Sequence, residues 1–539
     1  MNLFTARDGH RVDIFRVRSV PKFIRMLYRM GALGFALLAS SAWASDVCQV
    51  PQEGAQITKV AKQDCETKAI TAYEQPELSV SDLIMGPTPQ MPGMPIKKAL
   101  QPAFGLNDQI DCVYFPRPQG GHSLKFRCYR TDDKGAIFND AGEVTPAHFV
   151  APFAVNRSEK MKVKLEEVLF SDADLHQPIV NSDGRGESAD ILKVRVGHDT
   201  KRDRENHTTV AAGRLFWALG YPAEPAYIVR SVQCVNCPAK LGGIEEPQFA
   251  SGAGKVSSFE LPSIERKFPG KRITAGGEAA PGIMELLFNK NKLDQDRWTW
   301  QGLADRYADW SEARKDDFEG LVLATTLVQA LHQSDGTQNE LVCAEGAMDD
   351  KTRECAQPIA IVHDLGGSFG SRDQSYDGVG RGIVKDVSRE LLRLVKVRLG
   401  LAPRGSFSAY ARQSIFRSNS LDPKVRRDAG VCALDIAAGK LRSVSERGRA
   451  QFSGRLRKIA DDRAKVRAIF QGARFDQVDP EQRLFLEAQG LSGSEIDDAI
   501  LEQWTDEFTR KAHEILDADC SGSEQSMRRV NISAEHATQ

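Results

Sequence analysis

The sequence has no surplus of charge of either sign. Across 539 residues, 72 Lys and Arg stand against 73 Asp and Glu, so no positive field announces a nucleic-acid partner. Cysteine is sparse: the ten present are too few for a disulfide scaffold but enough for several bridges. Beyond residue 44 no run is apolar enough to supply the roughly 20 residues of a membrane span. There is no internal repeat, no HExxH metal motif and no second CxxC, which leaves little basis for a zinc site. What is present is ordinary for a globular protein: 41% apolar and 27% charged residues exclude a mainly disordered, collagen-like or multi-span chain. The length allows more than one domain.

The first 44 residues read as a secretory signal peptide. Arg7, Arg11, Arg16, Arg18, Lys22, Arg25 and Arg29 precede a ten-residue apolar run at 31–40, and Ala42-Trp43-Ala44 supplies the small-x-small cleavage site. The run is about half the length of a membrane anchor. Cleavage removes seven basic and two acidic residues, leaving 65 and 71. The expected product is soluble and periplasmic or secreted. All ten cysteines lie beyond the cut, and an even number in an exported chain favours pairing. Cys112 with Cys128 across a hairpin and Cys343 with Cys355 across a loop are natural local pairs. Cys234-Val-Asn-Cys237 reads as a structural bridge.

Organisation follows from composition and periodicity. Residues 45–104 are rich in Pro, Gln and small side chains and read as a loosely structured leader. Residues 105–240 form a β-rich part with an insertion at 131–188. Alternation at 109–115 and 123–129 around Gly120-Gly121 predicts a hairpin. Residues 191–196 and 227–232 predict further strands, and 208–219 a helix ended by Gly220. Residues 241–400 follow as a further part, in which the pattern turns mostly helical from about 283. An apolar helix at 318–331 leads into a polar loop, then a hairpin from 341–343 and 359–363. Residues 401–539 carry amphipathic helices, among them 445–467 and 497–515. Trp298, Trp300, Tyr307 and Trp310 have the near-helical spacing of a packed face. Strands first and helices after predict an α+β fold.

Five features fall in one order: the turn Gly120-Gly121, Lys193 on a strand, Glu205 opening a helix, the loop Asp335 to Asn339, and Asp364-Leu-Gly. Phosphoryl transfer from a nucleotide uses such parts. Glycine backbone N–H groups approach phosphate without a Cβ in the way. A strand cation neutralises phosphate and a helix carboxylate holds that cation. A further carboxylate orients the acceptor hydroxyl or takes its proton, while an amide oxygen and a carboxylate suit Mg²⁺. Lys193 and Arg195 share one strand face, so either could be the phosphate cation.

On these residues the chain resembles the atypical, secreted branch of the protein-kinase-like superfamily. His332-Gln-Ser-Asp335-Gly-Thr-Gln-Asn339 resembles the catalytic loop, and Asp364-Leu-Gly resembles the DFG motif. The stretches Gly120-Gly-His-Ser-Leu-Lys-Phe-Arg-Cys128, Leu192-Lys-Val-Arg-Val-Gly197 and Asp364-Leu-Gly-Gly-Ser-Phe-Gly370 are also similar to a group of uncharacterised exported bacterial proteins. The resemblance implies a two-lobed fold with a small β-rich N-lobe and a larger helical C-lobe. It implies an ATP and Mg²⁺ site: Gly120, Gly121, Lys193 and Arg195 for the nucleotide, Asp335, Lys193 and Glu205 as catalytic residues, and Asn339 and Asp364 on the metal. The acceptor would be a hydroxyl of a protein, lipid or glycan. The loop departs from the kinase pattern: three residues rather than four separate Asp335 from Asn339, and Ser334 replaces the usual Arg. A catalytically inactive binding protein, a pseudokinase, is the alternative expectation. A third is a hydrolase, since Gly366-Gly-Ser368-Phe-Gly370 matches Gly-x-Ser-x-Gly; the polar stretch after Ser368 is a poor start for the helix such an elbow needs.

Overall fold

The alternating hairpin strands seed the larger of two main sheets. The computed structural model describes residues 48–50, 59–86, 104–115, 125–131, 191–196 and 203–235, most of 256–273, 298–328, and most of 339–369 and 444–518. It also describes a few isolated positions and two short hairpins between these. The signal segment, Gly120, Gly121, His332, Asp335, Cys432 and Cys520 lie outside them. In chain order the elements are α1 (Lys59–Lys68), α2 (Val80–Met85), β1 (Gln109–Phe115), β2 (Lys125–Thr131), β3 (Ile191–Arg195), α3 (Asp203–Leu219), β4 (Ala226–Ile228), β5 (Ser231–Val235), β6 (Val256–Glu260), β7 (Ser263–Glu265) and β8 (Lys271–Arg272). They continue with α4 (Trp300–Arg306), α5 (Glu312–Leu327), β9 (Glu340–Cys343), β10 (Pro358–Ile361), α6 (Glu446–Ala460), α7 (Arg463–Gly472), α8 (Pro480–Ala488) and α9 (Gly493–Leu516). The fold is α+β.

Seven strands form a mixed sheet in the order β6-β5-β1-β2-β3-β7-β4. Only β1 and β5 run parallel; the other pairs are antiparallel. The run at 227–232, expected as one strand, is two. It bends at Val229 and Arg230, where the Arg230 N–H donates to Asp108 O at 3.0 Å. Leu261, at φ +47°, bends the partner strand, and its N–H meets Arg230 O at 3.0 Å. The result is one bent ribbon, β4–β5 against β6–β7. Its β5 pairs with β1 while its β7 pairs with β3, so the ribbon serves both ends of the sheet.

Period two separates the two faces of this sheet. Phe126, Val194, Ile264 and Tyr227 lie across from one another and are buried in one hydrophobic cluster with Cys112, Cys128 and Cys234. Phe126 and Phe259 rings pack at 5.2 Å. The opposite face carries Lys125, Lys193, Arg195 and Glu265.

A second cluster joins α3, α5, β9, β10 and the C-terminal helices. Val210, Ala211, Leu215, Phe216 and Leu219 of α3 are all wholly buried, as helical spacing predicts. Gly220 ends the helix at φ +82°, with the Tyr221 N–H on Phe216 O at 2.8 Å; a Cβ there would lie 2.8 Å from Tyr73 O. The β9–β10 hairpin has the expected antiparallel register. Trp298, Trp300 and Trp310 are buried and Trp298 Nε1 donates to Ile361 O at 3.0 Å, so these rings form a packed face. The helix expected over 445–467 is two, α6 and α7. Asp462 accepts from the N–H groups of Ala464 and Lys465 and thereby starts a new helix in the middle of the amphipathic stretch.

The expected loose leader is corrected over 59–86. Cys48 is bridged to Cys65, the Ile70 N–H donates to Pro358 O at 2.7 Å and the Tyr73 N–H to Gly220 O at 2.9 Å. The wholly buried Arg214 reaches the carbonyls of Leu83 and Ile84 at 3.0 and 2.6 Å. Burial without a carboxylate pushes its guanidinium down to about 9. Low periodicity in this segment reflects anchoring by a bridge and backbone bonds rather than by an amphipathic stripe. Cys112–Cys128, Cys234–Cys237 and Cys343–Cys355 are bridged as expected. Four disulfides suit an extracellular or periplasmic setting, and no helix among the described residues is long and apolar enough to cross a membrane.

Candidate functional site

Of the residues singled out in the sequence, Lys193, Arg195, Glu205, Asn339 and Asp364 are described. Four of them meet in one ionic network on the charged sheet face. The remaining three, Gly120, Gly121 and Asp335, lie outside the described residues.

Arg195 is the hub. It ends β3, is 2% exposed, and its Nη2 donates to Asp364 Oδ1 at 3.1 Å. Its Nη1 lies 3.7 Å from Glu205 Oε2 in the first turn of α3. Its Nε donates to Glu265 of β7. Burial works against the guanidinium's charge, yet Glu265, Asp364 and Glu205 together raise its pKa. Glu265 shows the mirror image: burial alone would raise its pKa, but Arg195, then Lys193 and His363, hold it well below the usual carboxylate range. Lys193 Nζ binds the second oxygen of Glu265 at 2.5 Å. The sequence left Lys193 and Arg195 as alternatives and assigned Glu205 to Lys193. In the structure Glu205 pairs with Arg195 and Lys193 pairs with Glu265. The two cations share a face, as expected; cross-strand register decides their partners.

The Asp364 turn is built to present its carboxylate. Asp364 adopts the left-handed region at φ +54°, ψ +62°, uncommon for a residue other than glycine, although Asp is among the side chains enriched there. A short 3₁₀ turn follows at Leu365–Gly367. Thr208 Oγ1 of α3 donates to Gly366 O at 2.7 Å, and the Phe369 N–H donates to Val328 O at 2.7 Å. The space at Gly366 is tight: a Cβ would lie 3.1 Å from Thr209 Oγ1, which would have to give by a few tenths of an ångström, and 3.4 Å from Arg195 Nη1, an ordinary contact. Helix α3, strand β3 and the turn are thus locked together around one guanidinium.

Asn339 sits beside the turn. It is wholly buried and its Oδ1 accepts from the His363 N–H at 3.2 Å, one residue before Asp364. Its Nδ2 is buried without an acceptor among the described residues. The His363 ring meets Glu224. Glu224, Glu265 and His363 bring ligand-type atoms within 4.8 Å of one another. Both oxygens of Glu265 already carry cations, however, so the trio forms part of the ion-pair network. Donor types suited to a hard divalent cation are present in Asp364 and Asn339. Each has a partner, Arg195 on one oxygen of Asp364 and the His363 N–H on Asn339 Oδ1; a carboxylate and an amide oxygen keep further lone pairs, so these two bonds do not by themselves preclude a cation.

Ser368 does not occupy a nucleophile elbow. It is wholly buried, follows a 3₁₀ turn rather than a strand, and leads to Phe369, whose ring packs on Phe470, Phe475 and Trp504.

Sequence reasoning missed Glu265, Glu224 and Lys125. Glu265 lies in a three-residue strand with no pattern of its own. Lys125 stood within the hairpin motif, and its period-two position there was the available signal.

No protein-family model matches the chain, and neither a curated protein nor a solved structure matches it significantly.

Proposed function

We propose that the chain is an exported kinase-like protein that binds a Mg-nucleotide on the charged face and transfers a phosphoryl group to a hydroxyl of a protein, lipid or glycan. One observation carries this reading. A strand cation, Arg195, is shared between a carboxylate on the following helix, Glu205, and the Asp of an Asp-Leu-Gly turn, Asp364. Phosphoryl-transfer sites need these three groups in one place, because catalysis there is positioning plus charge stabilisation. Arg195 would be held by Glu205 near the phosphates. Asp364 and Asn339 would hold the metal, which supplies charge neutralisation between phosphate oxygens. Asp335 would orient the acceptor hydroxyl.

A second reading is also supported by an observation. The two metal-ligand candidates have protein partners, as they would in a pseudokinase that binds without turnover.

Thermal shift with Mg-ATP separates the outcomes. Wild type should gain stability with nucleotide, and Asp364→Ala should lose that gain. Asp335→Ala should keep the shift and lose phosphate transfer. A shift in wild type without labelling of any acceptor supports the pseudokinase. No shift in wild type removes the nucleotide site.

A further inference from the structure

Among the described residues, one cation of the charged face, Lys125, is left unused by the network. Lys125 opens β2 directly across from Arg195 in the antiparallel register, and paired residues project from the same face. It is half-buried. The charged groups acting on it are Arg195 and Lys193 from β3, Glu265 from β7 and Asp364 from the turn after β10. Both carboxylates are already engaged, Glu265 by Lys193 and Arg195 and Asp364 by Arg195. Lys125 has no hydrogen bond or ion pair among the described residues. The connection between β1 and β2, Pro116-Arg-Pro-Gln-Gly-Gly-His-Ser-Leu124, contains no Asp or Glu. Burial, then Arg195 and Lys193, push the Lys125 ammonium down to about 8, so at neutral pH it is still mostly charged and poorly compensated. A partly buried charge of this kind is stabilised by a ligand of opposite sign.

We propose that Lys125 is the side chain that receives the phosphates of the ligand, while Arg195 and Lys193 hold the carboxylates of the site in position. This rests on the nucleotide reading above and moves the phosphate contact from β3 to β2. A lysine suits such a contact, being a compact point charge with three rotatable donors. Recognition is then through the charged end of a nucleoside di- or triphosphate, and the bare nucleoside lacks the main contact.

Calorimetric titration of the full chain with Mg-ATP, inorganic triphosphate and adenosine tests this. The comparison is between wild type, Lys125→Ala, Lys125→Met, Lys125→Arg and Lys193→Ala, each checked by circular dichroism. The expected result is a loss of about tenfold or more in Mg-ATP and triphosphate affinity for Lys125→Ala. Lys125→Arg should recover most of it, Lys193→Ala should lose less, and adenosine binding should be equal throughout. Lys125→Met, which keeps the apolar stem, serves if the alanine variant does not fold. Wild-type affinity in both Lys125→Ala and Lys125→Met overturns the assignment and leaves the nucleotide reading standing, as does a larger loss in Lys193→Ala. Failure of wild type to bind either polyphosphate overturns both.

Discussion

The seven-stranded sheet has two faces made by alternate residues of the same strands, and they are stabilised in opposite ways. On one face Phe126, Val194, Ile264 and Tyr227 join a cluster that includes two disulfides. Its contacts are many and individually weak, so the loss of one group is shared among neighbours. On the other face Lys193, Arg195 and Glu265 share two carboxylate oxygens among two cations. Contacts there are few and strong, and removing one member leaves another buried and uncompensated. The apolar face stabilises the sheet by area. The charged face keeps carboxylates and cations desolvated at fixed positions, which is the condition for acting on a ligand's charge.

The sharpest way to break this contrast is to truncate the apolar face. Phe126→Ala should cost about 3–5 kcal/mol in urea unfolding, through lost transfer energy and the cavity left behind. A cost below about 1 kcal/mol would mean that the strands are held mainly by the ionic side. Next in size is Glu265→Gln, expected to cost about 3 kcal/mol at neutral pH because it strands Arg195 and Lys193. Its effect has a pH signature. The folded pKa of Glu265 lies well below its ordinary value of 4.5: burial would raise it, and Arg195, Lys193 and His363 overcome that. The contribution is therefore present above about pH 4.5 and is lost as the pH falls through the depressed value. Melting curves of wild type and Glu265→Gln should converge on the acid side, and a constant difference down to about pH 3 would show that the loss is one of packing. The smallest expected effect is Lys125→Ala, within about 0.5 kcal/mol of wild type without ligand, since Arg195 and Lys193 repel Lys125 more than Asp364 and Glu265 attract it. A large loss of stability there would make Lys125 a structural member of the network.

Much of this contrast was legible in the sequence, because period two is a property of a single strand. The alternation at 109–115 and 191–196 gave the strands and placed Lys193 with Arg195. Helical spacing gave α3 and its end at Gly220, and the apolar runs around 341 and 359 gave the hairpin that delivers Asp364. What could not be read was anything set by register between distant strands. Whether Glu205 meets Lys193 or Arg195 depends on how α3 packs against the Asp364 turn. Glu265 enters through a strand too short to carry a pattern, 70 residues beyond Arg195. The break between α6 and α7 was missed because one capping side chain, Asp462, outweighed a periodicity that ran on through it.

The segment at 59–86 has a practical consequence for anyone expressing the protein. A recombinant product begun at the first strand of the sheet would remove the carbonyls that solvate Arg214, leaving a guanidinium sealed in the interior without those acceptors. It would also uncover the edge of β10 at Pro358 and Ala360, where Ile70 now lies alongside. The natural cut for cloning therefore falls upstream of Cys48, in a host that oxidises thiols, and a tag is better placed ahead of that cysteine than between it and the sheet.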